Sequence, residues 1–125
     1  MDPHCLTIKI TDFGESKAIL NSVAAKSSVK ATIGTIGWTA PEYLDVRRNN
    51  ERTEKGDVYS FGVIIWELVT REIPWNEGLG PIDIIFLKVI AGEKLKIPSG
   101  CNKLLERMMC ECWDNSKIFL SASID

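Results

Sequence analysis

The chain has 125 residues, enough for one compact domain with a buried core, and its 45% hydrophobic and 26% charged residues are the balance of an ordinary folded chain rather than a disordered one. A formal net charge of −2 argues against a nucleic-acid partner, because coating phosphates takes clustered Lys and Arg. The densest apolar run, Val63-Ile64-Ile65-Trp66, closes at Glu67, far short of the roughly 20 apolar residues that span a bilayer, so no membrane segment is expected.

The first residues, Met1-Asp2-Pro3-His4-Cys5, have no basic stretch leading into an apolar one; no secretory signal is expected, and a cytoplasmic location is. Leu6-Thr7-Ile8-Lys9-Ile10-Thr11 alternates apolar and polar residues, the period of a half-buried strand over residues 6–11 that would carry Asp12 at its tip, ahead of a turn at Gly14. Residues 15–37 are rich in Ser, Thr, Ala, Lys and Gly without a sustained period and predict a long loop of the kind that is usually functional or mobile. Pro41 opens a helical turn through Leu44, since proline is tolerated at a first helical position, and residues 47–52 read as a solvated loop.

A helix is predicted over residues 57–70. Val58, Tyr59, Phe61, Val63, Ile64, Ile65, Trp66, Leu68 and Val69 leave it almost no polar face, so it should have neighbours on every side. Pro74-Trp75 and Gly78-Leu79-Gly80-Pro81 break the chain. Ile82, Ile85, Phe86, Val89 and Ile90 then recur at helical spacing up to a glycine stop at Gly92. Leu95-Lys96-Ile97-Pro98 reads as an extended connector, and Leu104, Leu105, Met108, Met109 and Cys112 mark a last amphipathic helix ending near Trp113. Cys5, Cys101, Cys110 and Cys112 lack a C-x-x-C spacing and are expected to be buried or idle thiols; His4, the only histidine, is a weak general base beside a fraying terminus.

Three motifs stand in order: Asp12-Phe13-Gly14 after the predicted strand, Gly34-Thr35-Ile36-Gly37-Trp38-Thr39-Ala40-Pro41-Glu42, and Lys55-Gly56-Asp57-Val58-Tyr59-Ser60-Phe61-Gly62 running into Trp66-Glu67-Leu68. Together with Cys112-Trp113-Asp114 they resemble the eukaryotic protein kinase domain from its Asp-Phe-Gly onward, over residues 6 to about 114. The resemblance implies a mainly α fold, a partial C-terminal lobe made of a short strand (6–11), an activation segment (12–42), a helical lobe (53–114) and a divergent tail (115–125). Gly34-Thr35 implies serine/threonine specificity and Trp38-Thr39-Ala40-Pro41-Glu42 the tyrosine-kinase-like group, with tyrosine specificity as the alternative.

The same resemblance implies roles. Asp12 would be the carboxylate holding Mg²⁺ on the ATP phosphates, or else an N-cap or turn residue, and Phe13 the apolar plug that follows it. Phe13, Gly14, Thr35, Trp38, Ala40, Pro41 and Glu42 would shape the activation segment and the platform for a protein substrate. Ser27, Ser28 and Thr32 would be phosphorylation sites that order the loop, or plain polar loop residues. Asp57 would accept hydrogen bonds from the catalytic loop, or be an exposed carboxylate favoured at a helix N-terminus.

The Gly-rich loop, the strand lysine and the His-Arg-Asp catalytic loop of such domains do not occur in these residues. Nor does the arginine that in the family follows Cys-Trp and pairs with the glutamate equivalent to Glu42; either Glu42 is hydrated or Lys117 stands in poorly. The expectation is therefore a kinase-domain piece, inactive alone, whose complete domain would use ATP and Mg²⁺ and whose own binding of them is weak or nil. The alternative is a non-catalytic kinase-like binding or decoy module. In either case the helix over residues 57–70, bared on one face, would favour self-association.

Overall fold

A computed structural model describes residues 7–15, 33–45, 47, 53–76 and 82–114. Among the described residues four helices follow one another: α1, a single turn at Pro41–Leu44; α2, Glu54–Thr70; α3, Ile82–Ile90; and α4, Lys103–Cys112. Two 3₁₀ turns precede them, at Phe13–Glu15 and Ile33–Trp38. The mainly helical class read from the sequence stands. Ser27, Ser28, Thr32, Lys117 and the rest of the 115–125 tail lie outside the described residues.

The strand over residues 6–11 is not borne out. Residues 7–12 have no regular secondary structure, and Ile8 and Ile10 are 91% and 83% exposed. Alternation of apolar and polar side chains is only half of what a strand needs. The other half is a neighbour for its N–H and C=O groups, and no strand exists among the described residues to supply one. The stretch read as an aperiodic loop over 15–37 also ends differently, in the six-residue 3₁₀ turn Ile33–Trp38.

Helix α2 begins one turn before the expected residue 57. Glu54 and Asp57 in its first turn favour the positive end of the helix dipole, a charge signal that apolar periodicity does not register. The helix stops where Arg71 turns left-handed at φ 58° and its N–H caps the Glu67 carbonyl at 2.7 Å. Helix α3 ends as expected, with Gly92 at φ 81° returning its N–H to the Val89 carbonyl. Helix α4 starts at Asn102, whose side-chain oxygen accepts from the N–H groups of Leu104 and Leu105 at 2.9 and 3.4 Å.

The core is the contact of α2 with α4, closed by the connector between α3 and α4. Tyr59, Val63, Ile65 and Trp66 of α2 meet Met109 and Trp113, with Leu95 from the connector and Ala40 from the chain before α1. Met109 and Val63 are wholly enclosed. The Trp66 indole N–H donates to the Lys96 carbonyl at 2.8 Å, which fastens the connector to the same helix. Enclosure is not complete, however. Phe61, Ile64 and Leu68, at i, i+3 and i+7, form one stripe of α2 that stays 50%, 44% and 73% exposed. Leu104, which the periodicity placed on the buried face of α4, is also exposed, at the helix's first turn.

Gly62 lets α4 come this close. A Cβ there would sit 2.6 Å from Cys112 Cβ and 2.8 Å from the Trp113 Nε1. Replacing a mid-helix glycine by alanine returns about 1 kcal/mol of helix propensity, while overpacking a tight contact costs about 1–3 kcal/mol. Gly62→Ala is therefore expected to lose up to about 2 kcal/mol, seen as a lower urea midpoint. An unchanged or higher midpoint would mean that α4 does not lie so near.

Candidate functional site: the segment docked on α2

Residues 36–42 leave the 3₁₀ turn, pass over α2 and enter α1, and each step of that path is fastened. Trp38 is held at two points. Its indole N–H donates to Glu67 Oε2 at 3.1 Å, and its carbonyl accepts from Ser60 Oγ at 2.7 Å. One residue earlier, the Gly37 carbonyl accepts from the Trp75 indole N–H at 3.1 Å, and a Cβ on Gly37 would meet Trp75 Cδ1 at 3.4 Å. The turn itself closes with the Thr39 N–H on the Ile36 carbonyl at 3.1 Å. Ala40 follows, fully buried and extended, before Pro41 starts α1.

Helix α1 is then clamped to the start of α2. Tyr43 lays its ring where Gly56 has no side chain, so any Cβ there would collide with it. Its hydroxyl donates to the Thr53 carbonyl at 2.7 Å and accepts from the Thr53 N–H at 2.6 Å. One phenol thus satisfies both backbone groups of the residue that precedes α2, where Thr53's own side chain makes no cap.

Electrostatically the site is centred on Glu42. Burial, and secondarily the Glu42 charge, pushes the Tyr59 phenol up to about 12. Lys94 turns its Nζ inward, donating to the Trp113 carbonyl at 2.9 Å and lying 5.8 Å from the Tyr59 ring centre. Loss of water there lowers the Lys94 pKa, against the opposing pull of Glu42 and Asp114.

The residues singled out in the sequence divide into two groups. Trp38 and Ala40 come together against α2, Pro41 and Glu42 open α1, which also packs against α3, and Thr35 lies in the 3₁₀ turn just before them. Asp12, Phe13 and Gly14 do not join them in any described contact. Asp12 is exposed, outside any regular secondary structure, with a left-handed φ of 65°, Phe13 is 66% exposed, and Gly14 has open space around it. Among the described residues no three His, Cys, Asp or Glu side chains gather to hold a metal ion. Asp57 lies exposed in the first turn of α2, the setting of a carboxylate favoured by the helix dipole.

Sequence reasoning missed Ser60, Glu67, Trp75, Tyr43 and Lys94. A signal for the first two was present: they are polar residues at i and i+7 within the mostly apolar stretch from Val58 to Val69, and so share a face.

With this geometry in view, the chain was compared with known proteins. Residues 3–118 match the family model described as protein tyrosine and serine/threonine kinase. Among curated proteins the chain is 38% identical over 109 residues to the serine/threonine-protein kinase CTR1 of Arabidopsis thaliana, covering 87% of this chain and 12% of that protein. It is 37% identical over 115 residues to the probable serine/threonine-protein kinase drkC of Dictyostelium discoideum, covering 90% of this chain and 14% of that protein. With the mitogen-activated protein kinase kinase kinase 12 of Rattus norvegicus it shares 36% over 107 residues, 86% of this chain and 11% of the relative. The chain therefore spans only about an eighth of the length of these relatives.

The raised phenol has a consequence at high pH. Below pH 10, where tyrosine is neutral folded or unfolded, Tyr59 gives its full contribution; that contribution is lost as pH climbs from 10.0 through about 12. Two units correspond to about 2–3 kcal/mol. Lys94, held below 10.5, acts in the opposite direction and has finished by about that pH. Urea unfolding followed from pH 9 to 12 should show this loss in the parent and a much flatter profile in Tyr59→Phe. Equal slopes in the two would sink the assignment.

Proposed function

Because this chain belongs to the protein tyrosine and serine/threonine kinase family, we propose that it is the part of a serine/threonine kinase domain that receives the protein substrate, with residues 36–42 as the platform on which the substrate's hydroxyl-bearing segment rests. The observation that carries this is the docking of Trp38, Ala40 and Tyr43 on α2. A surface that must present an extended peptide has to be rigid, and these residues are fixed at Trp38, at Gly37 and through Tyr43. Kinase-family domains generally use ATP with Mg²⁺ and act on proteins. In the whole protein, Asp12 would supply one carboxylate to the metal, Ser27, Ser28 and Thr32 would be the loop's phosphorylation sites, and the compartment would be the cytoplasm. No helix among the described residues is long and apolar enough to cross a membrane.

The chain by itself has little with which to do chemistry. Phosphoryl transfer depends on positioning and electrostatic stabilisation, and these 125 residues include no Gly-rich loop, no strand lysine and no His-Arg-Asp loop. The purified chain is expected to incorporate no phosphate into a generic protein substrate and to bind Mg²⁺·ATP weakly or not at all, whereas the longest product of its transcript should be active. Incorporation by the 125-residue chain that vanishes in Asp12→Asn would overturn the first expectation. An inactive longest product would overturn the second.

A non-catalytic binding module is the second reading, and the exposed stripe Phe61, Ile64 and Leu68 favours it. On that reading the chain self-associates through α2. Sedimentation equilibrium should then show a dimer that Leu68→Glu returns to monomer; a parent that is monomeric throughout the accessible concentrations would rule it out.

A further inference from the structure

Helix α2 repeats a second pattern besides the one that meets α4. Glu54, Asp57, Phe61, Ile64 and Leu68 follow at alternating steps of three and four, so they line one face along nearly the whole helix. All five are exposed. The face is divided: its first part carries two carboxylates, and its second part carries three large apolar side chains. Apolar side chains scattered singly on a surface need no cover, but three in register along one helix form a stripe that marks a contact. An occupant that matches this face brings a cation at one end and apolar groups beside it.

The chain itself has such a sequence close by. Residues 115–125, outside the described residues, contain Lys117-Ile118-Phe119-Leu120, a cation followed at once by three apolar residues. Their point of departure is fixed by α4. Trp113 is the C-cap of that helix, and its indole edge lies at Gly62, where a Cβ would come 2.8 Å from Nε1. Gly62 follows Phe61 directly, so the chain leaves α4 beside the middle of α2 and not at a distant end. A helix with its side chains is about 10–12 Å across, and the four steps from Asp114 to Ile118 reach up to about 14 Å. From Phe61 to Leu68 the stripe runs about 10 Å along the axis, the length of about three extended residues. Reach, charge order and apolar length agree.

We propose that residues 117–120 fold back over α2 as an intramolecular cover, with Lys117 against the carboxylates of Asp57 and Glu54, and Ile118, Phe119 and Leu120 along Phe61, Ile64 and Leu68. The stripe is then met from within the chain, not by the second copy considered above. A segment tethered beside its face holds an effective concentration on the order of millimolar, which a free second chain does not match at ordinary protein concentrations. The cover stands on reach and chemistry alone and does not depend on the kinase reading.

Carbodiimide coupling of the 125-residue chain tests this, read by peptide mass spectrometry on an equal mixture of light and heavy-nitrogen chains. The reagent joins an amine directly to a carboxylate, so it records only groups that touch. A link from Lys117 to Asp57 or Glu54 should form within single chains. Its yield should fall at least tenfold in the triple variant Ile118→Ser, Phe119→Ser, Leu120→Ser and in Leu68→Glu, both of which keep the lysine and the two carboxylates. The dye ANS, which binds bared apolar surface, should bind the triple variant at least threefold more than the parent. Unchanged exchange of amides 107–112 in α4 shows that the core is intact, and the triple variant leaves every residue of that core in place. Links found only between light and heavy chains would put a second copy on the stripe and overturn the cover. Equal yields in parent and triple variant would reduce the link to chance proximity and overturn it as well, as would the absence of any link from Lys117 to Asp57 or Glu54.

Discussion

Two helices can share a core only as closely as their side chains permit, and here the limit is set by one missing methyl group. With no Cβ at Gly62, Cys112 and the edge of the Trp113 indole rest against the α2 backbone. That approach brings Met109 over Val63 and lets Trp113 close the end of the core, so the enclosed residues form one cluster instead of two separate helix faces. It also exacts something. The Trp113 N–H is buried with no hydrogen-bond partner, a group that would be worth about 1–3 kcal/mol if it were satisfied. Packing against bare backbone and a satisfied indole N–H compete for the same space, and at this point packing has won.

Everything proposed about function hangs from the same helix. One side of α2 is committed to α4, and an adjoining face carries Ser60 and Glu67, which hold Trp38. Its first turn accepts the Tyr43 ring over Gly56. A long apolar helix fixed by its core makes a stiff reference, and a segment attached to it at several points takes on that stiffness. The remaining stripe, Phe61, Ile64 and Leu68, is the part of this reference against which no described residue packs closely enough to cover it.

How much of this was legible beforehand depends on the physical signal each feature leaves. The helices left apolar periodicity and stop residues, and α3 and α4 fall where Ile82–Ile90 and the Leu105–Met109–Cys112 spacing placed them. The α2 start was misplaced by one turn because Glu54 and Asp57 act through charge, not burial. The strand over residues 6–11 failed because alternation states a preference for two faces and says nothing of a pairing partner. In the site, Trp38, Ala40, Pro41 and Glu42 were legible only as a motif. The attachments of this segment, Trp38 to Ser60 and Glu67, Gly37 to Trp75 and Tyr43 to Thr53, join residues 10 to 38 positions apart, and no local pattern encodes such a pairing. Two glycines, Gly56 and Gly62, were invisible for a related reason: what they make room for comes from another element.

Near Glu42, burial and charge compete at one lysine. Lys94 brings a cation into the same field, and Glu42 and Asp114 both act to keep it charged. Its pKa nevertheless falls, so the loss of water around Nζ outweighs both carboxylates. A lysine whose neighbours cannot repay its desolvation is a weak electrostatic tie. Its firm contact is the hydrogen bond to the Trp113 carbonyl, at the C-terminal end of α4, where a cation meets the negative end of the helix dipole. Lys94 therefore does more to close the end of α4 than to hold Glu42. Helix α1 is tied to α2 by Tyr43 against Gly56 and Thr53 and by the buried Ala40, and α3 packs against α1 and the 3₁₀ turn before it, so two helices together fix the place of this segment.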